Sequence, residues 1–239
     1  LHKFDVCVAD TATGDVKVLI EERLNTYVEV EPLRLINGGK EMIWWSERDG
    51  WGHYYLYDGD GKLKAQLTSG EFTCQGIEGV DEKLRVLFFN ACGREPNEDP
   101  YDFHLYRIGL DGTGLKLLIP GDASHSADMD DNVRVFIDTF SRVNTAPACE
   151  LRDAMGNALV KLEATDTSAL LEAGYKFPEP FKGKADDGVT DLYGVMYKPF
   201  DFDPAVKYPI IAYVYPGPQT ESVTQTFSPR NGNVALAQL

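Results

Sequence analysis

A strand, a polar turn containing glycine and a second strand recur along this chain, and this recurrence restricts the fold more than any other feature. Val6-Cys7-Val8 and Val16-Lys17-Val18-Leu19 flank Gly14, and the same unit returns around Gly61, Gly114 and Gly156, at intervals of 47, 53 and 42 residues. Met42-Ile43-Trp44-Trp45, His53-Tyr54-Tyr55-Leu56-Tyr57, Leu84 to Phe89, Phe103 to Ile108 and Val133 to Ile137 are rich in aromatic and β-branched residues and have strand length. Asp58-Gly59-Asp60-Gly61 and Asp111-Gly112-Thr113-Gly114 supply the positive φ that tight hairpins need. A period of roughly 40–50 residues with four strands per unit is the signature of propeller blades. One blade leaves the faces of its sheet uncovered, so blades stack on one another and share cores. The expected architecture is mainly β, a partial β-propeller of about three four-stranded blades over residues 1–162. No WD dipeptide occurs, which separates it from a plain WD40 array.

Composition sets the broad class. Among 239 residues, 43% are hydrophobic and 26% charged, the balance of a globular protein. Asp and Glu number 38 against 23 Lys and Arg, leaving a net charge of −15. Such a surface repels phosphate backbones, so nucleic acid is not an expected partner. No run approaches the roughly 18 apolar residues of a membrane span. Cys7, Cys74, Cys92 and Cys149 are scattered, with no C-x-x-C, so zinc is not expected and the thiols read as small buried side chains. The chain begins with Leu1 inside a strand-like alternation and stops as an apolar run begins after Asn231; both ends look cut, and no signal peptide is visible.

The pattern changes after residue 160. Thr167-Ser168 offers a cap to Ala169-Leu170-Leu171-Glu172-Ala173, and Gly174 a stop, which predicts one short helix. Phe177-Pro178-Glu179-Pro180-Phe181 reads as an extended connector. Leu192 to Tyr197 follows, then a turn through Lys198-Pro199 to Pro204. Tyr208-Pro209-Ile210-Ile211-Ala212-Tyr213-Val214-Tyr215 is apolar almost throughout, as a strand buried on both faces should be, and ends at Pro216-Gly217-Pro218. Residues 163–239 are therefore expected to hold a linker helix and the opening of an α/β domain.

Several of these segments resemble one family. Ser46 to Tyr57, His125-Ser126-Ala127 with the Asp130-Asp131-Asn132 turn, and Leu151 to Gly156 resemble blades of the dipeptidyl peptidase IV propeller. Tyr208 to Pro218 resembles the opening strand and loop of that family's α/β-hydrolase domain. The resemblance is to the dipeptidyl peptidase IV branch of the prolyl oligopeptidase clan of serine peptidases, and it follows segment order along nearly the whole chain. It implies a propeller capping a hydrolase, with the active site in the cavity between them. It also implies release of N-terminal dipeptides from peptides with proline, or sometimes alanine, at the second position, with no metal or organic cofactor. Export to the periplasm or cell envelope is implied as well, and a homodimer of the whole protein stays open.

The resemblance also assigns residues. No G-x-S-x-G elbow occurs, and Ser222 and Ser228 lie in polar loop sequence. His2, His53, His104 and His125 all precede the hydrolase-like part, whereas that fold orders its triad Ser, Asp, His. The triad is thus expected outside this chain, and the chain alone is expected to be inactive. Tyr215 matches the family's oxyanion-hole tyrosine, whose phenol stabilises the charge of a tetrahedral intermediate, with Gly217 and Pro218 shaping the turn that aims it. Tyr27 matches an aromatic facing the substrate cavity, but Val28 stands where the family often has arginine; packing within a blade is an equal reading for Tyr27. Glu21-Glu22 reads as solvated surface rather than an amine-binding pair. Asp128 to Asn132 reads as a turn, Glu95 to Pro100 as a surface loop, and Trp44, Trp45 and Trp51 as blade packing. Two rivals remain: an acylaminoacyl- or tripeptidyl-type peptidase of the same clan, and a propeller-type binding module with a degenerate hydrolase.

Overall fold

A computed structural model describes residues 2–215, 223–230 and 232–238. Its first hairpin, β1 (Lys3–Ala9) and β2 (Val16–Arg23), is a two-stranded sheet. Three four-stranded antiparallel meanders follow. The first holds β3 (Arg34–Ile36), β4 (Glu41–Ser46), β5 (His53–Asp58) and β6 (Leu63–Gln66). The second holds β7 (Thr73–Asp81), β8 (Val86–Cys92), β9 (Phe103–Gly109) and β10 (Lys116–Leu117). The third holds β11 (Ser124–Met129), β12 (Val135–Arg142), β13 (Thr145–Asp153) and β14 (Ala158–Ala164). In each, sequence neighbours pair, as the short polar turns dictate.

The cores lie between consecutive sheets. Ile20, Trp44, Tyr55 and Tyr57 fill the first seam with Phe4 and Leu19. Ile43, Trp45, Leu56, Leu87, Phe89 and Tyr106 fill the second, and Phe88, Leu105, Leu118, Ile119 and Phe136 the third. The middle strands of the first two sheets are therefore buried on both faces, which is why β4 and β8 read as near-continuous apolar runs, whereas β12 and β13 of the third are only partly buried. This face-to-face stacking of four-stranded units is the propeller arrangement the repeat predicts.

The repeat is exact at the backbone. The N–H groups of Gly59, Leu110 and Ala154 donate to the carbonyls of Lys40, Arg85 and Arg134 at 2.7, 2.8 and 2.9 Å, tying the last hairpin of each sheet to its first. The hairpin glycines then touch the preceding sheet. A Cβ on Gly61 would lie 2.8 Å from the Leu19 carbonyl carbon, on Gly112 2.7 Å from the Gln66 oxygen, and on Gly156 3.0 Å from the Leu118 carbonyl carbon. All three have positive φ, so glycine serves conformation and close approach together. The repeating position in the third turn is thus Gly112 and not Gly114, which has nothing within 4 Å.

Buried charge also crosses the seams and corrects one expectation. Glu21 is exposed beside Lys3 and Arg23, but Glu22 is buried. Its Oε2 accepts from Trp44 Nε1 at 2.9 Å and from Arg48 Nη2 at 3.0 Å. Strand alternation explains the split, because Glu22 shares the inner face with Ile20. In the next seam Glu41 accepts from Arg85 at 2.5 and 3.1 Å and pairs with Lys64. Trp44 and Trp45 are core residues, whereas Trp51 is exposed. None of the four cysteines forms a disulfide; Cys74 alone is fully buried, and Cys7 is exposed.

Beyond the sheets, α1 (Ser168–Glu172) forms where expected and ends at Gly174, whose φ is 89°. Thr167 stands at its N-cap without a side-chain cap bond, and the Ser168 hydroxyl donates to Asp166. The connector from Phe177 becomes β15 (Glu179–Lys184), which pairs with β16 (Asp191–Met196) as a separate hairpin. The chain closes on α2 (Gly232–Gln238). Among the described residues, no helix is long and apolar enough to cross a membrane.

Candidate functional site

Tyr215 ends a segment that departs from expectation. Residues 208–215 form no ladder; the chain there is irregular, with Ile210 92%, Tyr213 66% and Tyr215 60% exposed. Apolar composition favours a strand, but a strand exists only by pairing its backbone with a neighbour, and no described strand pairs with this one. The segment is fixed at its start. Tyr208 stacks on Phe202 with centroids 5.2 Å apart, and its hydroxyl accepts from the Asp203 N–H at 3.0 Å. Gly217, Pro218 and Ser222 lie outside the described residues. Ser228 is described and lies in irregular chain just before a turn, not on an elbow between strand and helix.

Tyr27 lies in the irregular link between β2 and β3 and is half-exposed, while Val28 beside it is buried. Val28 thus packs in the core, while the Tyr27 ring stands at the surface. Two acids, Glu29 and Glu31, follow Tyr27 closely in the chain. Burial holds the carboxyls of Glu31 and Glu47 above their ordinary value, and the charge of Glu29 adds to both. Sequence reading passed over this trio because Glu47 comes from the far end of β4.

The histidines hold structure. His53 Nδ1 meets the Thr68 hydroxyl at 3.0 Å and Nε2 the Gly70 carbonyl at 3.0 Å. His104, at the equivalent place one sheet on, meets the Ile119 carbonyl at 3.1 Å and Glu98 at 2.8 Å. The carbonyl requires a proton on His104 Nδ1. His125 Nδ1 donates to Asp138 at 2.9 Å, and Asp138 accepts from Arg152 Nε at 3.0 Å. His2 meets the Thr26 carbonyl at 2.8 Å. No described serine hydroxyl bonds to a ring nitrogen of any of them. The Glu95 to Pro100 segment is pinned as well, with Glu95 accepting from Tyr106 and Glu98 held by His104. Asp130 caps its turn by accepting from the N–H groups of Arg134 and Val135. Among the described residues, no group of three or more His, Cys, Asp or Glu side chains is placed to hold a metal.

Comparison with known proteins places these features in context. Residues 2–147 match the family model described as the dipeptidyl peptidase IV N-terminal region. Human dipeptidyl peptidase 8 is 30% identical over 179 residues, covering 70% of this chain and 19% of the relative. Dipeptidyl peptidase 4 of Trichophyton equinum is 28% identical over 199 residues, covering 81% and 25%. The crystal structure of Porphyromonas gingivalis dipeptidyl peptidase 4 superposes with a TM-score of 0.80 at 26% identity, over 95% of this chain and 32% of that one. The chain thus spans between a fifth and a third of the proteins it resembles.

Proposed function

The chain belongs to the dipeptidyl peptidase IV N-terminal region family, and from that premise we propose that it is part of a serine exopeptidase that releases N-terminal Xaa-Pro or Xaa-Ala dipeptides. Residues 1–162 supply late blades of the propeller, and residues 163–239 the linker helix and the start of the hydrolase. The observation that carries the reading is the conjunction of the matched propeller region with the Tyr208 to Pro218 motif a short way beyond it. The nucleophilic serine, its Asp and its His belong to the rest of the protein, which works outside the cytoplasm.

In the reaction, the serine attacks the carbonyl after the second residue, and negative charge develops on the carbonyl oxygen. Tyr215 donates its phenol O–H to that oxygen, beside the backbone N–H that follows the nucleophile. An added donor aimed at the developing charge is worth about 3–4 kcal/mol, or roughly 10²–10³ in rate. Tyr27 contacts the substrate from the propeller side. The negative charge of the coupled Glu29, Glu31 and Glu47, two of which follow Tyr27 closely in the chain, suits peptides, whose free amino end is cationic.

The test is kinetic. The whole enzyme should hydrolyse a Gly-Pro chromogenic substrate, and Tyr215→Phe should lower kcat by about 10²–10³ with a modest change in KM. The 239-residue chain alone should show no turnover. An unchanged kcat in the variant removes Tyr215 from the mechanism, and turnover by the isolated chain refutes the assignment of the triad to the rest of the protein.

A further inference from the structure

We propose that the segment from Glu95 to Asp102 is a pH-sensitive strap: one proton shared by Glu98 and His104 holds it on the second sheet, with its Tyr101 ring against β16, and loss of that proton releases it.

The segment links β8 to β9, and two side-chain bonds tie it to β9. Glu95 accepts from the Tyr106 hydroxyl at 3.0 Å, and Glu98 Oε2 meets His104 Nε2 at 2.8 Å. Burial holds the Tyr106 hydroxyl above its ordinary value, so the first bond keeps its proton throughout the neutral range. The second is different. His104 is 2% exposed, and its Nδ1 already donates to the Ile119 carbonyl at 3.1 Å. Both ring nitrogens thus face oxygens that only accept, unless Glu98 itself carries the proton. Whichever atom holds it, one proton lies between Nε2 and Oε2. Without it, the lone pair of a buried ring meets a carboxylate, and the contact turns from attractive to repulsive. His53, at the equivalent place in the first sheet, has no such need, because the Thr68 hydroxyl at its Nδ1 can donate to a neutral ring.

The charges around the pair cannot stand in for the proton. Arg142 is engaged by Asp122, and Arg152 by Asp138, which also accepts from His125, the ring 5.3 Å from His104. The remaining neighbours are acids. Asp102 closes the strap, buried, its Oδ2 without a partner among the described residues. Burial, then Asp99, pushes its carboxyl up to about 7, with Asp122 and Glu98 adding to the repulsion and Arg142 opposing it. Its charge therefore develops as pH rises toward neutrality and works against the closed strap. At the outer side Tyr101 meets Tyr193 of β16 edge-on, with centroids 5.9 Å apart, so release of the strap also withdraws a contact from the β15–β16 hairpin.

The experiment follows amide hydrogen exchange of residues 95–102 in the whole protein between about pH 5.5 and pH 8, the range in which an imidazole changes charge. Rates are converted to protection factors, which removes the intrinsic pH dependence of exchange. Wild-type protection should fall by about tenfold or more across the range, as expected for the loss of a charge-assisted bond. Glu98→Gln should keep protection steady, because its amide N–H donates to the unprotonated Nε2. Glu98→Ala should show low protection at every pH. Asp102→Asn should retain a fall with pH. Constant protection in wild type overturns the strap, and so does a fall in Glu98→Gln equal to that of wild type. A flat profile in Asp102→Asn also overturns it, by placing the decisive proton on Asp102 and not between Glu98 and His104. The readout needs no substrate, so it stands apart from the proposed function.

Discussion

Two glycines in one turn separate the cost of backbone strain from the cost of forcing sheets apart. Gly112 and Gly114 have φ of 80° and 71°, so alanine at either loses about 1–2 kcal/mol to left-handed strain. Only Gly112 faces the preceding sheet, where the new Cβ would lie 2.7 Å from the Gln66 carbonyl oxygen. A relaxed carbon–oxygen contact is about 3.3 Å or more, so the seam must open by roughly 0.6 Å. The obstacle is backbone, which cannot rotate aside, and overpacking of this kind costs about 1–3 kcal/mol. Gly112→Ala should therefore destabilise by about 2–5 kcal/mol and Gly114→Ala by about 1–2 kcal/mol. Urea denaturation followed by tryptophan fluorescence reads both, with the midpoint shifting and the slope unchanged. Trp44 and Trp45 sit in the first two seams and report on them directly. Equal losses in the two variants would show that the glycine–carbonyl approach contributes nothing to blade stacking.

Titration supplies two further tests. Hydrogen bonding from Arg85, then from Lys64, holds the Glu41 carboxyl well below its ordinary value, at about 2. Because the folded pKa is the lower one, its stabilisation is complete above about 4.5 and lost as pH falls toward 2. Both cations are about two-fifths exposed, so solvent screening leaves about 1–2 kcal/mol, and Glu41→Gln should flatten the acid limb of the stability profile by that amount. Asp102 behaves in the opposite sense. Burial, aided by Asp99, pushes its carboxyl up to about 7, and its Oδ2 has no partner among the described residues. Its folded pKa is the higher one, so stability falls as pH rises from about 4 to about 7. Asp102→Asn should match wild type at pH 4 and exceed it by about 1–3 kcal/mol at pH 8, and a gain independent of pH would refute the assignment. Breaking the Glu22 network with Glu22→Ala strands Arg48 and the Trp44 indole N–H in a seam, which should cost about 3–5 kcal/mol by denaturation.

The sheets were legible because their signal is local. Alternation, aromatic content and Asp–Gly turns lie within a dozen residues of one another, and they specify the three meanders and their order. What escaped is what neighbouring sheets decide. Gly112 and Gly114 are equally good turn glycines in the sequence, and only the Gln66 carbonyl tells them apart. Glu21 and Glu22 look alike as a pair, although period-two alternation from Ile20 points to Glu22 as the inward one. Its partners, Trp44 and Arg48, come from the next sheet and could not be named from β2. The apolar run from Tyr208 to Tyr215 shows the same limit from the other side. It carries the composition of a buried strand, but pairing is a property of two strands, and no described strand pairs with this one.

The seams share a backbone contact but not a charge pattern, and the difference bears on how the sheets find their order. A hairpin glycine resting on a carbonyl fits any neighbour, so it cannot distinguish one seam from another. Glu22 and Glu41 can, because a buried carboxylate needs its own cation. In the first seam the partner is Arg48, lying 4.4 Å over the Tyr55 ring. In the second it is Arg85, which reaches back to Glu41 from a turn residue with φ of 58°. The position equivalent to Glu41 in the next sheet is Val86, so a sheet stacked out of order would bury one acid against an aliphatic face. Removing a buried ion from its partner costs about 3–5 kcal/mol, enough to disfavour such a stack in a protein of ordinary stability. Backbone geometry therefore makes the sheets stackable, and the buried ions make one sequence of stacking the preferred one.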